Sequence, residues 1–219
     1  KEAGLRGRAF LVADAGVWPH YQQKVLESLK SGGFAPECYQ VPAGEGSKSL
    51  AAAQRLYSWL AVRRAERGEA VVALGGGMVG DLGGFVAATY LRGLPFVQAP
   101  TSLLAMVDAS VGGKVAVNLP EAKNLVGAFY QPRLVVCDAQ TLTTLPRREL
   151  TSGWAEVIKH GLALEPDLVQ FLESRANELV ALEPEAMVEA VSWSVRIKAA
   201  VVSRDEKETG ERILLNYGH

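Results

Sequence analysis

The chain has 219 residues, 48% of them hydrophobic, and its 23 Lys and Arg residues nearly balance 24 Asp and Glu residues. This length and hydrophobic fraction exclude a disordered protein and allow one large or two small domains. The near-neutral charge offers no basic field for a nucleic acid backbone or an acidic membrane, so we expect neither as a partner. Cys38 and Cys137 are isolated thiols, which argues against a disulfide framework and favours a reducing, cytoplasmic location.

The first part of the chain alternates apolar runs with helical patterns. The apolar runs predict strands at 9–13, 38–41, 70–74, 96–99 and 134–138. The helical patterns lie at 19–30, from an N-cap at Ser47 to Gly68, from a glycine loop to about 92, and at 101–111. This alternation predicts a mostly parallel sheet covered by helices, whereas 112–132 lacks periodicity and predicts a long loop.

The second part of the chain changes character. Helical patterns occupy 154–164, 167–182 and 184–202, and the next strand-like run is 213–215. We therefore place a domain boundary near residue 148. The predicted fold is α/β, with a Rossmann-like parallel-sheet domain at 1–148 followed by an α-helical domain at 149–219.

A glycine-rich loop lies between the predicted strand at 70–74 and the helix after it. Gly75, Gly77 and Gly80 satisfy the G-x-G-x-x-G spacing, in which the backbone approaches a pyrophosphate at a helix N-terminus. The acidic residue that usually follows about 20 residues later to hold a ribose hydroxyl is absent. Two interpretations stay open, nucleotide binding and a tight turn that packs the helix on the sheet.

Several polar residues fall in loops where the carboxyl ends of parallel strands would meet. Together they suggest an anionic small molecule, although each alone is explained by a solvated surface. These residues are Asp81, Arg92, Asp108, Lys114, Lys123 and Asn124.

Glu156 and His160 are four residues apart in a predicted helix, so their side chains share a face that could hold a metal ion. The alternative is that Glu156 pairs with Lys159 or is exposed to solvent. The spacing alone does not decide between them.

Motifs along nearly the whole chain resemble the 3-dehydroquinate synthase family of sugar-phosphate cyclases. The matching segments are 75–82, 89–93, 100–108, 112–114, 123–125, 131–132, 144–146, 155–159 and 214–219, together with Glu149, Lys198, Asp205 and Glu206. The resemblance implies a lyase of the shikimate pathway that converts 3-deoxy-D-arabino-heptulosonate 7-phosphate to 3-dehydroquinate and phosphate. It further implies catalytic NAD, a Zn²⁺ or Co²⁺ ion, an α-helical metal-binding domain and a homodimer.

The resemblance also assigns site residues. It places metal ligands at Glu156 and His219 and none at His160. It assigns NAD contacts to Asp14, Gly44, Glu45, Lys48, Gly77, Met78, Val79, Gly80, Asp81, Thr101, Ser102, Lys114, Lys123, Thr141, Leu142, Thr143, Thr144 and Glu149. It assigns substrate contacts to Asp108, Lys114, Asn124, Lys198, Arg212, Asn216 and His219, with Arg92 reaching a neighbouring subunit.

In this assignment Glu45 and Lys48 hold the adenosine side of NAD, which explains the missing acid after the second strand. Lys114 and Asn124 suit the phosphate, and Lys198 with Arg212 suits the carboxylate and ring hydroxyls.

The family continues past residue 219 and supplies a third metal ligand there. We therefore expect this chain to be part of a longer protein and to bind metal weakly on its own. Lys198 and Arg212 argue against the first alternative, an inosose- or valiolone-type sugar-phosphate cyclase. Lys114 with Asn124 argues against the second, a metal-dependent alcohol dehydrogenase. The third alternative is a non-catalytic NAD-binding remnant.

Overall fold

The structure, a computed structural model, describes residues 4–217 and divides the chain into two compact units. The sheet unit comprises Lys1–Pro100 and Gly113–Val136, and the helical unit comprises Thr101–Gly112 and Cys137–His219. The predicted boundary at 148 differs from this division, because residues 101–112 and 137–148 pack with the helices rather than with the sheet.

The sheet unit is built on five parallel strands, β1 Arg8–Asp14, β2 Ala35–Val41, β3 Ala70–Gly75, β4 Phe96–Pro100 and β7 Leu134–Val135. Their order in the sheet is β2-β1-β3-β4-β7, so the predicted α/β fold with a parallel sheet is confirmed. Every residue of β3 is buried, as a central strand covered on both faces requires. Strand β7 is shorter than the predicted strand at 134–138.

Three helices accompany this sheet, α1 Trp18–Ser31, α2 Leu50–Val62 and α3 Gly77–Thr89. The predicted N-cap of α2 was wrong by two residues, because Ser49 accepts the hydrogen bond from the Ala52 N–H at 3.2 Å. Ser47 instead ends a 3₁₀ turn, where its hydroxyl donates to the Pro42 carbonyl oxygen at 2.6 Å. The helix also ends at Val62 rather than Gly68.

The predicted loop at 112–132 contains an antiparallel hairpin, formed by β5 Lys114–Val117 and β6 Val126–Phe129. Val115 and Val117 are buried in the same hydrophobic cluster as α3, while Lys114 is exposed. The sequence signal for β5 is an alternation of more exposed and buried residues over only four positions. The glycines and prolines around it obscured this alternation.

The helical unit contains α4 Arg147–Leu164, α5 Pro166–Ser174, α6 Ala176–Val180 and α7 Pro184–Arg204. The predicted helix at 167–182 is therefore two helices, and the strand-like run at 213–215 lies in a 3₁₀ helix, Glu211–Asn216. Of the predicted helix at 101–111, residues 103–109 are helical and include a π-helical turn, Ala105–Ala109. Its Leu103 and Met106 are fully buried in the core of this unit, with Val157 of α4 and Met187 of α7.

Among the described residues, none of the helices has both the length and the apolar character needed to cross a membrane.

Gly84 sets the distance between α3 and the strands beneath it. A Cβ atom placed on Gly84 would lie 2.8 Å from the Phe96 Cε1 atom, closer than real contacts allow, and would also collide with Val115. We expect Gly84→Ala to lower the free energy of unfolding by about 1–3 kcal/mol through overpacking. Chemical denaturation measures this change.

The matched control is Gly68→Ala, because a Cβ atom at Gly68 meets nothing within 4 Å. We expect this control to change stability by less than about 0.5 kcal/mol. Equal stability of the two variants would contradict the packing argument.

Candidate functional site

The glycine loop joins the end of β3 to the beginning of α3. Gly75 has a φ of +150°, and a Cβ atom there would lie 2.9 Å from the Cβ of Asp14, so a larger residue does not fit. The N-terminus of the 13-residue α3 then follows directly, with its unpaired N–H groups and the positive end of its dipole. The predicted order of strand, glycine turn and helix is confirmed, and it can accept a pyrophosphate.

Lys48 connects three segments of the sheet unit. Its side chain is only 6% exposed, forms an ion pair with Asp81 of α3, and donates from Nζ to the Asn124 Oδ1 atom at 2.6 Å. A buried ammonium group needs such partners because isolated burial of a charge is costly. The structure thus brings together three predicted site residues that lie far apart in the sequence.

The other predicted residues of the sheet unit lie at its loops. The Asp14 Oδ1 atom accepts the Gly16 N–H at 2.8 Å at the end of β1. Gly44 and Glu45 are exposed at a 3₁₀ turn, Lys114 begins β5, and Lys123 is exposed between the hairpin strands. Arg92 is exposed beyond α3.

In the helical unit, Asp108 and Lys198 form an ion pair in which the lysine side chain is 7% exposed and the aspartate side chain is 30% exposed. Lys198 Nζ donates to the Asp108 carboxylate at 2.5 Å and to the Asp108 carbonyl oxygen at 2.7 Å. Burial alone would raise the pKa of Asp108, but Lys198, together with the weaker effects of Lys159 and His160, holds that pKa below its usual value. Burial also lowers the pKa of Lys198, although Asp108 partly opposes this.

Glu156 and Lys159 form a second pair, three residues apart on α4. The Lys159 side chain is 7% exposed, and its Nζ also donates to the Leu215 carbonyl oxygen at 2.6 Å. Lys159 therefore ties Glu156 to the 3₁₀ helix near the C-terminus. The sequence offered this pairing as the alternative to a metal site, and the structure contains it.

His160 is the most isolated polar group of this region. It is fully buried, neither ring nitrogen has a hydrogen-bond partner, and burial lowers its pKa to about 4. One ligand atom each from Asp108, Glu156 and His160 lies within 4.8 Å of the others. Two carboxylates and a neutral imidazole are donors that Zn²⁺ and Co²⁺ accept, so these residues fit a divalent metal ion.

His219, the other predicted ligand, lies outside the described residues. The spacing of Glu156 and His160 correctly indicated their proximity, and Asp108 joins them although no sequence signal linked it to α4.

Arg212 is 3% exposed and donates to the carbonyl oxygens of Gly112 and Glu206. The turn before it is held by Asp205, whose carboxylate accepts the N–H groups of Thr209 at 2.9 Å, Gly210 at 2.7 Å and Arg212 at 3.1 Å. Asn216 donates to Glu208 Oε1 at 2.7 Å. Sequence reasoning recognised Asp205 only as part of a motif and missed its role in holding the turn.

The remaining predicted cofactor residues belong to the helical unit. Thr101 is buried, and the Ser102 hydroxyl accepts the Ala105 N–H at 3.3 Å. Residues 141–144 form most of a 3₁₀ helix, and Glu149 is exposed in the first turn of α4.

Comparison with known proteins identifies the family. Models described as 3-dehydroquinate synthase N-terminal and C-terminal match residues 38–152 and 153–219. The chain belongs to the 3-dehydroquinate synthase family. It is 52% identical over 212 residues to the 3-dehydroquinate synthase of Symbiobacterium thermophilum, covering 97% of this chain and 59% of that relative. The chain thus spans less than two thirds of the length of such relatives.

Solved structures of sugar-phosphate cyclases share the fold of this family member. A 2-deoxy-scyllo-inosose synthase in complex with carbaglucose-6-phosphate, NAD⁺ and Co²⁺ matches at 30% identity with a TM-score of 0.92. The match covers 100% of this chain and 61% of that one. A 2-epi-5-epi-valiolone synthase from Streptomyces hygroscopicus with NAD⁺ and Zn²⁺ bound matches at 29% identity with a TM-score of 0.91. That match covers 98% of this chain and 61% of that one.

The turn held by Asp205 should depend on pH. The N–H of Thr209 and the other backbone donors lower the pKa of Asp205 below 3.8, despite the opposing effect of burial. A lowered pKa means that the turn is stabilised above the ordinary pKa of Asp and loses this stabilisation as pH falls through the lowered one. We expect the amide NMR signals of Thr209 and Gly210 to titrate together with a midpoint below 3.8.

Asp205→Asn should remove this titration, whereas Asp167→Asn, at an exposed position in the first turn of α5, should leave it in place. A midpoint at or above 3.8 would show that the three N–H groups do not stabilise the carboxylate.

Proposed function

We propose that the full-length protein is a 3-dehydroquinate synthase, which converts 3-deoxy-D-arabino-heptulosonate 7-phosphate to 3-dehydroquinate and phosphate. The observation that carries the proposal is the cluster of Asp108, Glu156 and His160 beside two buried lysines, in a chain of this family. The cluster combines donors for a divalent metal ion with cations for an anionic substrate.

The sheet unit supports NAD binding. Gly75 leaves room for a close backbone approach, and α3 directs its N-terminal N–H groups toward an incoming pyrophosphate. Glu45 offers an exposed carboxylate for ribose hydroxyls, as the resemblance implies. NAD⁺ is bound together with a metal ion in both related cyclase structures.

The helical unit supports binding of Zn²⁺ or Co²⁺ by Glu156, with Asp108 and His160 beside it. Bound NAD supplies the reversible oxidation of a ring hydroxyl, and the metal ion supplies Lewis-acid polarisation of that group. The chain's own residues then position the substrate and hold its charges.

Asp108 stays ionised because its pKa is lowered, so it accepts a hydrogen bond from a substrate hydroxyl rather than donating a proton. Lys198 places a buried positive charge beside it for the substrate carboxylate. In the sheet unit, Lys114 and Asn124 suit the phosphate, because N–H donors stabilise the negative charge that its oxygen gains as it leaves.

The proposal includes a cytoplasmic homodimer in which the exposed Arg92 of one subunit reaches the site of the other. Leu91, Arg92 and Gly93 all have a positive φ, so the chain turns sharply at this point. This turn supports a position in which the Arg92 side chain extends away from its own subunit.

Phosphate release from the heptulosonate phosphate tests the function. The full-length protein should release phosphate only when both NAD and Zn²⁺ or Co²⁺ are present, and NADH should not accumulate. Glu156→Gln should lower the rate at least 100-fold, because an amide is a poor ligand for these ions and leaves Lys159 without its anion. Glu173→Gln, on an exposed face of α5, is the matched control and should retain the rate.

Turnover of a different sugar phosphate with the same cofactors would assign the protein to another cyclase of the superfamily. Accumulation of NADH would indicate an alcohol dehydrogenase instead. Absence of any turnover would contradict the proposal and favour a non-catalytic NAD-binding protein.

Metal binding provides a second test that does not depend on turnover. We expect Co²⁺ titrated into the full-length protein to give a visible absorption spectrum with at least tenfold lower affinity in Glu156→Gln. Glu173→Gln is again the matched control and should bind Co²⁺ like wild type, because Glu173 is exposed on α5. Equal Co²⁺ affinity of wild type and Glu156→Gln would exclude Glu156 as a ligand.

A further inference from the structure

Asn118 lies directly after β5 and makes polar contacts with three segments of the sheet unit. Its Nδ2 atom donates to Glu45 Oε1 at 2.7 Å, and its Oδ1 atom accepts the Asn124 N–H at 2.9 Å. Its own N–H donates to the Lys48 carbonyl oxygen at 2.9 Å. Asn118 therefore links both ends of the segment from Glu45 to Lys48 to the turn that carries Asn124.

Glu45 needs such a contact to hold a fixed orientation. It is exposed and lies between Gly44 and Gly46, and a Cβ atom at either glycine would meet nothing within 4 Å. An exposed glutamate in this setting has many rotamers, and fixing a flexible side chain on binding costs conformational entropy. The hydrogen bond from Asn118 to the carboxylate is charge-assisted and restricts Glu45 before any ligand arrives.

We propose that Asn118 is a positioning residue that orients the Glu45 carboxylate toward the ribose hydroxyls of the bound dinucleotide. This inference rests on the proposed function, because it takes NAD as the ligand. A carboxylate recognises a ribose diol by accepting its hydroxyl hydrogens, and Asn118 keeps Glu45 in place for that contact without touching the ligand itself.

The substitution Asn118→Asp separates the two side-chain contacts. A carboxylate at this position still accepts the Asn124 N–H but has no N–H to donate to Glu45. The contact to the Lys48 carbonyl oxygen uses the backbone N–H and is retained. The variant thus removes the link to Glu45 and leaves the turn at Asn124 connected.

The test is the affinity of the full-length protein for NAD⁺, measured by calorimetric titration. We expect Asn118→Asp to weaken NAD⁺ binding about tenfold, because Glu45 is no longer oriented before the ligand arrives and the new carboxylate repels that of Glu45. The matched control Asn177→Asp, at an exposed position of α6, should bind like wild type. With saturating NAD⁺, kcat of Asn118→Asp should stay within about twofold of wild type, so that the effect lies in the KM for NAD⁺.

A double-mutant cycle distinguishes positioning from general damage to the fold. In a Glu45→Ala background, Asn118→Asp should have no further effect on NAD⁺ affinity, because the group that Asn118 positions is gone. A tenfold loss that persists in this background would show that Asn118 acts on the structure as a whole and would overturn the inference.

Failure of the inference is separable from failure of the proposed function. If wild type binds NAD⁺ and Asn118→Asp binds it equally well, Asn118 does not position Glu45 and the proposed function stands. If wild type binds no NAD⁺, both are wrong.

Discussion

Three lysine ammonium groups with side chains less than one tenth exposed hold three carboxylates of the candidate site in place. Lys48 pairs with Asp81, Lys159 with Glu156 and Lys198 with Asp108. A buried charge must be paired, and removing one partner of such a pair costs about 3–5 kcal/mol. In two of the pairs the partners come from separate segments of the chain. The glycine turn, α4 and α7 contribute to the candidate site because the three ion pairs fix the positions of the carboxylates there.

The same pairs connect local structure to the candidate site. Lys48 lies one residue before the N-cap Ser49, so the beginning of α2 and the ion pair to α3 are positioned together. Lys159 contacts the Leu215 carbonyl oxygen as well as Glu156, so the 3₁₀ helix near the C-terminus is tied to α4. Lys48 and Lys159 thus tie their carboxylate partners to helices that begin or end close by. Residues held in this way move less than residues of exposed loops.

The sequence predicted the parallel sheet, the glycine turn and the helical second unit because these depend on local patterns. The continuous burial of β3 appears in the sequence as the apolar run at 70–74, and Gly75 ends the strand. The hairpin at Lys114 and the position of Asp108 near Glu156 were not predictable in this way, because both depend on tertiary contacts. Asn118 carried no signal either, since an asparagine before a Leu-Pro pair is typical of a turn and says nothing about Glu45.

The charges of the helical unit link cation binding to anion binding. Asp108 and Glu156 carry two negative charges, Lys159 and Lys198 carry two positive charges, and His160 is neutral because burial lowers its pKa to about 4. Arg212, which is 3% exposed, adds a further positive charge that acts on Asp108 and Lys198. A divalent cation that joins these groups adds still more positive charge, which is less favourable than binding to bare carboxylates. Under the proposed function, an anionic substrate supplies the compensating negative charge. By linkage, each then strengthens the binding of the other, so the lysines that weaken metal binding in isolation favour it when substrate is present.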